Sequence, residues 1–217
     1  MFKFREKGVV HMQKLRLVLL GVFCLSLMAP TVVFAVSTSF VVSASIPQAT
    51  GVSISATKVL SDGNQWGASV TALDFDPMTL DSENGVWLPD HYFAIDVGAT
   101  GGAGSPDVTV TYVEGAKPTG QTNGLGYKSI ATFVKVTGAT GNQTETELNA
   151  HGPKKLLKDL SGEQITDTEI SGGFLRIYVG VFPGDDQDIL DADGEPFTNS
   201  DKPGDYDGTL TITGTVS

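Results

Sequence analysis

The most densely charged part of the chain is an acidic segment near its end, where side chains could bind a hard metal ion. The segment contains Asp185, Asp186, Asp188, Asp191, Asp193, Glu195, Asp201, Asp205 and Asp207. Calcium takes about six to eight oxygen ligands, which flexible acidic loops can supply. Calcium is therefore the one candidate cofactor, with Asp191, Asp193 and Glu195 as its ligands. The EF-hand pattern fails, because Ile189 stands where such a loop would begin with Asp. The sequence accordingly predicts a solvated acidic loop and no cofactor, with calcium binding as the alternative.

The chain offers little for catalysis. His91 and His151 are the only histidines after residue 35, and the single cysteine is Cys24. A serine hydrolase would need a serine on a strained turn, such as Gly-x-Ser-x-Gly, and no such sequence occurs. The spacing of histidine and cysteine does not suggest zinc. The sequence therefore predicts no enzyme. An enzyme would require two close carboxylates in a cleft, or His151 facing an acid.

Five aromatic residues are candidates for a sugar-binding platform. They are Trp66, Trp87, Tyr92, Tyr112 and Tyr127. Sugars stack on exposed aromatic faces, but aromatic side chains in a β-protein more often fill the core. Both interpretations remain open from the sequence, and burial of each ring decides between them.

The residues before position 36 predict a secretory signal peptide. Five basic side chains lie in the first sixteen residues, and a mostly apolar run follows at residues 17–28. That run is shorter than the roughly 20 residues that a membrane-spanning helix needs. Residues 33–35 provide a cleavage site, so we expect residues 1–35 to be removed. Translation could start at Met1 or at Met12.

Composition supports an exported protein. The formal net charge is −11, and removal of the basic leader makes the remainder still more acidic. Such a surface repels nucleic acid and anionic membranes. No cysteine follows Cys24, so no disulfide is expected within the chain that remains. We expect a secreted or cell-surface protein, with no stable membrane insertion after cleavage and no nucleic-acid partner.

The segment at residues 36–47 has the alternation of a β-strand. Its apolar face carries Phe40, Val42, Ala44 and Ile46, and serines occupy the other face. Pro47 ends the strand, and a second alternating strand begins at Val52. Two interpretations stay open. In the first, the segment is an N-terminal extension that inserts into another subunit. In the second, it is the first edge strand of the domain at residues 48–217 and lies in one sheet with the strand that begins at Val52.

The last strand of the chain shows the same alternation more clearly. Tyr206, Leu210 and Ile212 lie on one parity, and a series of threonines lies on the other. Threonine favours extended backbone, and side chains in a strand point alternately to opposite faces. The sequence therefore predicts a terminal strand with one apolar and one polar face.

Short strands separated by Gly-rich turns fill the rest of the chain. Strands are predicted near residues 70–75, 86–88, 91–97, 108–113, 127–136 and 173–181. Residues 153–160 are open between two helical turns and irregular structure. Eight to ten strands of this kind predict an all-β protein, an antiparallel β-sandwich of the immunoglobulin-like or jelly-roll type with at most one short helix.

The two ends together resemble a known group of proteins. Residues 204–213, Gly-Asp-Tyr-Asp-Gly-Thr-Leu-Thr-Ile-Thr, are similar to the terminal strand of secreted bacterial pilin-like and spore-coat-U-like domains, where Gly-x-Tyr-x-x-Thr opens the strand. Residues 39–46 resemble their donor strand. The resemblance implies a subunit of a surface fibre or coat that self-associates, or associates with another surface protein, by β-strand donation. Its assembly interface would contain Phe40, Val42, Ala44, Ile46, Tyr206, Leu210 and Ile212.

The functional prediction is therefore an exported structural protein of the cell surface, assembling as a fibre subunit. The alternative is a secreted carbohydrate- or calcium-binding β-sandwich module. The two differ in what removal of residues 36–47 would do. A fibre subunit loses assembly, whereas a binding module keeps its ligand.

Overall fold

A computed structural model describes residues 40–45, 51–184 and 193–216 of the chain. Fifteen strands lie in the described residues, together with one helix of four residues and three single turns of 3-10 helix. The strands fall into two large sheets and one small sheet. Every pairing is antiparallel except one. The protein is an all-β, sandwich-like fold, as the sequence predicted.

Sheet A has five strands. They are β1 (Phe40–Ser45), β4 (Leu73–Asp74), β8 (Asp107–Glu114), β12 (Ser161–Ile165) and β15 (Tyr206–Thr215). Their order across the sheet is β12–β8–β15–β1–β4. The one parallel pairing joins β1 to β15. A strand at the start of the described chain therefore lies beside the strand at its end.

Sheet B is larger and consists of seven strands. They are β2 (Val52–Leu60), β3 (Gln65–Val70), β7 (His91–Ala99), β9 (Ser129–Thr137), β10 (Thr144–Glu147), β11 (Lys155–Leu156) and β13 (Phe174–Val181). The main order is β10–β9–β13–β7–β2–β3, and β11 also pairs with β9. Both β7 and β13 lie inside this sheet and are largely apolar on their inward face.

A small third sheet contains β5 (Met78–Asp81), β6 (Val86–Pro89) and β14 (Phe197–Thr198), in the order β14–β6–β5. The turn between β5 and β6 falls at residues 82–85, Ser-Glu-Asn-Gly. Helix α1 (Leu125–Lys128) precedes β9 directly. The remaining turns are 3-10 turns at Asp62–Asn64, Asn149–His151 and Leu157–Asp159.

One hydrophobic core lies between the large sheets. Sheet A contributes Val42, Leu73, Val110, Leu210 and Ile212, among others, and sheet B contributes Phe93, Ile95, Phe133, Leu175 and Ile177, among others. These side chains have at most 1% of their surface exposed. Their alternation along each strand is the physical reason the sequence forms strands here, because only a pleated strand turns every second side chain inward.

Several local predictions were wrong. The expected strand near residues 70–75 is the end of β3 at Val70 and the two-residue β4, with a bend between them. The helical alternative for residues 153–160 fails, because β11 and a single 3-10 turn occupy this segment. Helix α1 contains residues 127 and 128, which the sequence predicts as the start of a strand. The two alternating segments are also not two edges of one sheet, since β1 (Phe40–Ser45) lies in sheet A and β2 lies in sheet B.

Candidate functional site

The position of β1 is the feature of the fold that most concerns assembly. Its backbone pairs with β15 over six positions, from Phe40 with Tyr206 to Ser45 with Thr211. On its other side, β4 pairs with only two residues of β1, so Val41 lies opposite Asp74 and Val42 opposite Leu73. Strand β1 thus fills a groove in sheet A between β15 and the short β4.

Val42 anchors β1 in the core. Its side chain is completely buried, and its direct neighbours across the sheet are Gly208 on β15 and Leu73 on β4. Gly208 leaves room here for the Tyr112 ring, since a Cβ at Gly208 would lie 2.1 Å from the Tyr112 hydroxyl oxygen. A buried valine stabilises its strand by about 1.5–3 kcal/mol. Val42 therefore lies between Gly208 and Leu73 across the sheet, with its own side chain in the core.

The three predicted interface residues on β15 all face the core. Tyr206, Leu210 and Ile212 are at most 1% exposed, which confirms the predicted parity of this strand. The Tyr206 hydroxyl donates to the Lys202 carbonyl at 3.0 Å, and the ring lies edge-on to Phe197. Burial, with the negative charge of Asp201, raises the pKa of Tyr206 to about 12.

The predicted interface residues on β1 are described unequally. Phe40 and Ala44 lie in β1 with their backbones paired to β15, opposite Tyr206 and Leu210. Of the side chains on this strand, the structure describes only Val42. Ile46 lies outside the described residues. An intermolecular role for these residues stays a prediction.

Two of the three candidate calcium ligands, Asp193 and Glu195, lie in the described residues, and each is beside a lysine. Glu195 accepts a hydrogen bond from Asn123 at 2.9 Å and lies 3.8 Å from the Lys128 ammonium. A carboxylate oxygen of Asp193 lies 3.8 Å from the Lys158 ammonium. Asp191 falls outside the described residues. Within the described part of the chain, no three acidic, histidine or cysteine side chains converge on a metal position, and calcium binding stays a prediction.

Lys128 is a buried cation that sequence reasoning missed. Its side chain is 1% exposed, and its ammonium lies 2.8 Å from Asp201 and 3.2 Å from the Pro196 carbonyl. The ammonium also lies 5.1 Å from the centre of the Phe197 ring. These contacts join α1 to the segment that carries β14. Part of the acidity of the final loop thus balances an internal lysine.

His151 faces two acids, which is one of the conditions the sequence set for an enzyme. Its Nδ1 lies 2.5 Å from Glu163 and its Nε2 lies 3.0 Å from Glu169. Lys155 also binds Glu163. The imidazole is 7% exposed, and both of its ring nitrogens already have carboxylate partners. The arrangement has the form of a clamp between the β10–β11 connection and β12, with no ring nitrogen left for a substrate.

The carboxylates of this clamp are held in the charged form. Burial tends to raise the pKa of Glu163, but hydrogen bonds from Lys155 and His151 outweigh it and leave the pKa below its ordinary value. The pKa of Glu169 is also lowered, chiefly by the backbone N–H of Thr166 and further by the Thr166 hydroxyl and His151. Ionised carboxylates only accept hydrogen bonds, so the clamp is strongest when both are deprotonated.

His91, the other candidate, is a core residue. It is 2% exposed and lies against the rings of Phe75 and Phe93. Its ring nitrogens lie 2.7 Å from the Asp90 carboxylate and 2.7 Å from the Asp74 carbonyl. This arrangement fastens β7 to β4 and leaves no nitrogen open to a ligand.

The candidate aromatic residues separate into two groups. Tyr112 belongs to the main hydrophobic core, and the half-buried Trp87 packs against this core. Tyr127 is half-buried, with the Lys158 ammonium 5.3 Å from its ring centre. Trp66 and Tyr92 instead lie on the outer face of sheet B, where Trp66 is 48% exposed. The platform interpretation therefore survives only for the second group.

A guanidinium group organises the outer face of sheet B. Arg176 donates to both carboxylate oxygens of Asp96 at 2.7 and 2.9 Å, and to Glu145 at 2.7 Å. The guanidinium carbon, Cζ, lies 4.4 Å from the centre of the Trp66 ring. Burial alone would lower the pKa of Arg176, but its hydrogen bonds, above all to Asp96, raise it. The Tyr178 hydroxyl donates to the same Glu145 at 2.6 Å.

Apolar residues lie beneath this layer. Val59, Ala94, Val134 and Val136 are on the outer side of sheet B by their strand register, and none is more than 4% exposed. Val59 pairs with both Trp66 and Tyr92. Aromatic and guanidinium groups therefore cover a second, smaller apolar layer outside the main core.

Comparison of the chain with protein-family models, curated proteins and solved structures finds no match. In the part of the chain that the structure describes, no helix is both long and apolar enough to cross a bilayer.

Proposed function

We propose that the protein is an exported structural subunit of the cell surface, and that it assembles by donating β1 to the sheet A of a neighbouring copy. The observation that carries this proposal is the place of β1 in sheet A. Neither neighbour of β1 is joined to it by a hairpin, because β4 and β15 lie much further along the chain. The same contacts with β4 and β15 can therefore form whether β1 comes from its own chain or from another copy.

The connection after β1 has enough reach for both arrangements. Seven peptide steps separate Ser45 from Val52, and a chain of this length extends to about 23 Å. Packed sheets lie only about 10 Å apart. The same segment can therefore bring β1 to its own sheet or let it leave for another, which is the topology of a strand exchange.

The composition of β1 fits a donated strand. It reads Phe-Val-Val-Ser-Ala-Ser and has no charged residue, whereas the chain as a whole is strongly acidic. An uncharged strand approaches another acidic copy without adding repulsion of its own. A donated strand of this type binds by main-chain hydrogen bonds, and pockets for alternate side chains set its register. The contact joins different surfaces of the two copies, so it propagates into a fibre instead of closing as a dimer.

Removal of residues 36–47 tests the proposal directly. We expect the exported protein to form filaments or large oligomers in negative-stain microscopy and size-exclusion chromatography, and the deletion variant to form none. Monodisperse monomers from both proteins would contradict the proposal and favour the binding-module alternative.

A matched pair of substitutions covers the case in which the deletion variant does not fold. Val42→Asp places a charge at the fully buried anchor of β1, and Val113→Asp places one at a valine that is 60% exposed on β8. We expect assembly to fail for Val42→Asp and to persist for Val113→Asp. Equal effects of the two would show that β1 is not the joint.

A designed crosslink distinguishes a strand kept within its own chain from a donated one. Ser43 and Thr209 are direct partners in the β1–β15 register, and the exported chain is expected to lack cysteine. After Ser43→Cys and Thr209→Cys, oxidation should give a covalent ladder on non-reducing gels. A single monomer band with no free thiol would refute donation. Pairing Ser43→Cys with Thr215→Cys, which is out of register, serves as the control.

A further inference from the structure

The outer face of sheet B contains a groove next to the Arg176 cluster. Its volume is about 720 Å³, and its lining includes Asp96, Phe174 and the serines at positions 53, 55 and 105. Ligand clefts in proteins commonly measure about 300–1,000 Å³. Asp96 is common to both features, because it lines the groove and also holds Arg176.

Trp66 lies on the same outer face of sheet B, outside the lining of the groove, and is held as a fixed plane. One side of its indole faces the Arg176 guanidinium at 4.4 Å, and nearly half of the residue is exposed. Arg176 cannot move away, since it is 4% exposed and bound to two carboxylates. An immobilised aromatic plane costs little entropy when a ligand stacks on it.

From this geometry we infer that the outer face of sheet B binds a neutral oligosaccharide. Stacking of a pyranose ring on Trp66 provides the apolar contact. Serine hydroxyls and the free lone pairs of Asp96 provide the hydrogen bonds that a polyhydroxylated ligand needs. This inference is independent of assembly through β1, which takes place in the other large sheet.

The dimensions and charge of the surface define the ligand further. Tyr92, beside Trp66, and Asp96 are four residues apart on β7, which is about 13 Å along a strand. A ligand that contacts both Trp66 and the groove at Asp96 is therefore an oligomer. The carboxylates of Asp96 and Glu145 and the acidic chain disfavour uronic acids and sulfated sugars.

Tryptophan fluorescence measures the binding directly. The chain has two tryptophans, Trp66 and Trp87, so Trp87→Phe leaves Trp66 as the only reporter. We expect cellotetraose or chitotetraose to shift the Trp66 emission to shorter wavelength with a saturable curve. A heparin tetrasaccharide should produce no such shift. The inference is overturned if neither neutral probe gives a saturable change, or if the heparin probe binds as tightly.

Two matched variants locate the site. Ser55 is exposed in the groove, and Ser55→Gln fills the groove without touching the core. Thr209 is exposed on sheet A, so Thr209→Gln is the control. Ser55→Gln should weaken binding of the neutral probe at least tenfold, and Thr209→Gln should leave it unchanged. Unaltered binding by Ser55→Gln would remove the groove from consideration.

Discussion

The two flanks of sheet A differ in the strands that form them: β12 lies at one flank, and β1 with the short β4 lies at the other. At one flank, β12 is a short edge strand with a bulge between Ser161 and Glu163, and Glu163 is held by His151 and Lys155. At the other flank, β1 has no charged side chain, and β4 covers only two of its residues. A bulge and an inward charge are known means of protecting an edge from pairing with another chain. One flank of the sheet therefore carries features that disfavour strand addition, and the other contains β1, the strand that we propose is donated.

The largest loss of stability should come from a substitution at Gly208, the residue of β15 that lies opposite Val42 of β1. In Gly208→Ala the new methyl group would lie 2.1 Å from the Tyr112 hydroxyl oxygen, and such overpacking costs about 3 kcal/mol. Chemical denaturation measures the loss. Gly104→Ala, where a methyl group would meet nothing within 4 Å, should change stability by less than about 0.5 kcal/mol. Similar values for the two would mean that the groove adapts freely.

The anchor of β1 should give the next largest effect. Val42→Ala removes two buried methyl groups and should reduce the free energy of unfolding by about 2 kcal/mol. Val113→Ala, on an exposed side chain, should cost no more than about 0.5 kcal/mol. Urea titration of both variants checks the difference. If Val42→Ala costs no more than its control, β1 contributes little to the sheet.

The protected flank should show a smaller and pH-dependent effect. Glu163→Gln should cost about 1.5 kcal/mol at pH 7, where the carboxylate is ionised and accepts from Lys155 and His151. The folded-state pKa of Glu163 lies below its ordinary value of 4.5. Its stabilisation is therefore complete above pH 4.5 and disappears as the pH falls through the folded-state pKa.

Denaturation of wild type and Glu163→Gln at pH 7 and pH 3 tests this. The difference in free energy of unfolding between the two proteins should be larger at pH 7 than at pH 3. A difference that is the same at both values would show that the charge of Glu163 does not hold the flank.

The smallest effect should come from the bulge itself. Gly162 adopts a φ of +79°, where a residue with a Cβ is strained by about 1 kcal/mol. Gly162→Ala should lower the melting temperature by a few degrees. Its oligomeric state should not change, because the joint that we propose is β1 and not β12. New oligomers in size-exclusion chromatography would show that the bulge is what prevents pairing at this flank.

The sequence predicted best where the physical cause is local. The buried parity of Tyr206, Leu210 and Ile212 follows from alternation within one strand, and the fold class follows from repeated short strands of this kind. The polar strands β10 and β12 escaped prediction, because Thr-Glu-Thr-Glu and Ser-Gly-Glu-Gln-Ile show no apolar alternation. Strand β10 is exposed throughout, and in β12 only Ile165 is buried, so neither strand has a repeated apolar face to reveal it.

The candidate sites were harder to predict because they are assembled from distant segments. Nothing in the sequence around His151 indicates that Glu163 and Glu169 will meet it on opposite sides. Likewise, the contact of Arg176 with Trp66 joins β13 to β3, which are 110 residues apart by number. The sequence around Trp66 contained one signal for a surface aromatic residue. Trp66 is the only large aromatic residue in the uncharged stretch Gln-Trp-Gly-Ala-Ser-Val. Such a residue in a polar strand is a candidate for the surface.

The parallel direction of β1 and β15 has a mechanical consequence. The pairing runs from Phe40 with Tyr206 to Ser45 with Thr211, and β15 continues to Thr215. The beginning of β1 and the end of β15 therefore lie at opposite ends of their shared ladder. Tension applied between these two points loads all six residue pairs together in shear, whereas an antiparallel pair pulled from adjacent ends would open one hydrogen bond at a time. The geometry resists pulling along the strands far better than the small number of pairs suggests.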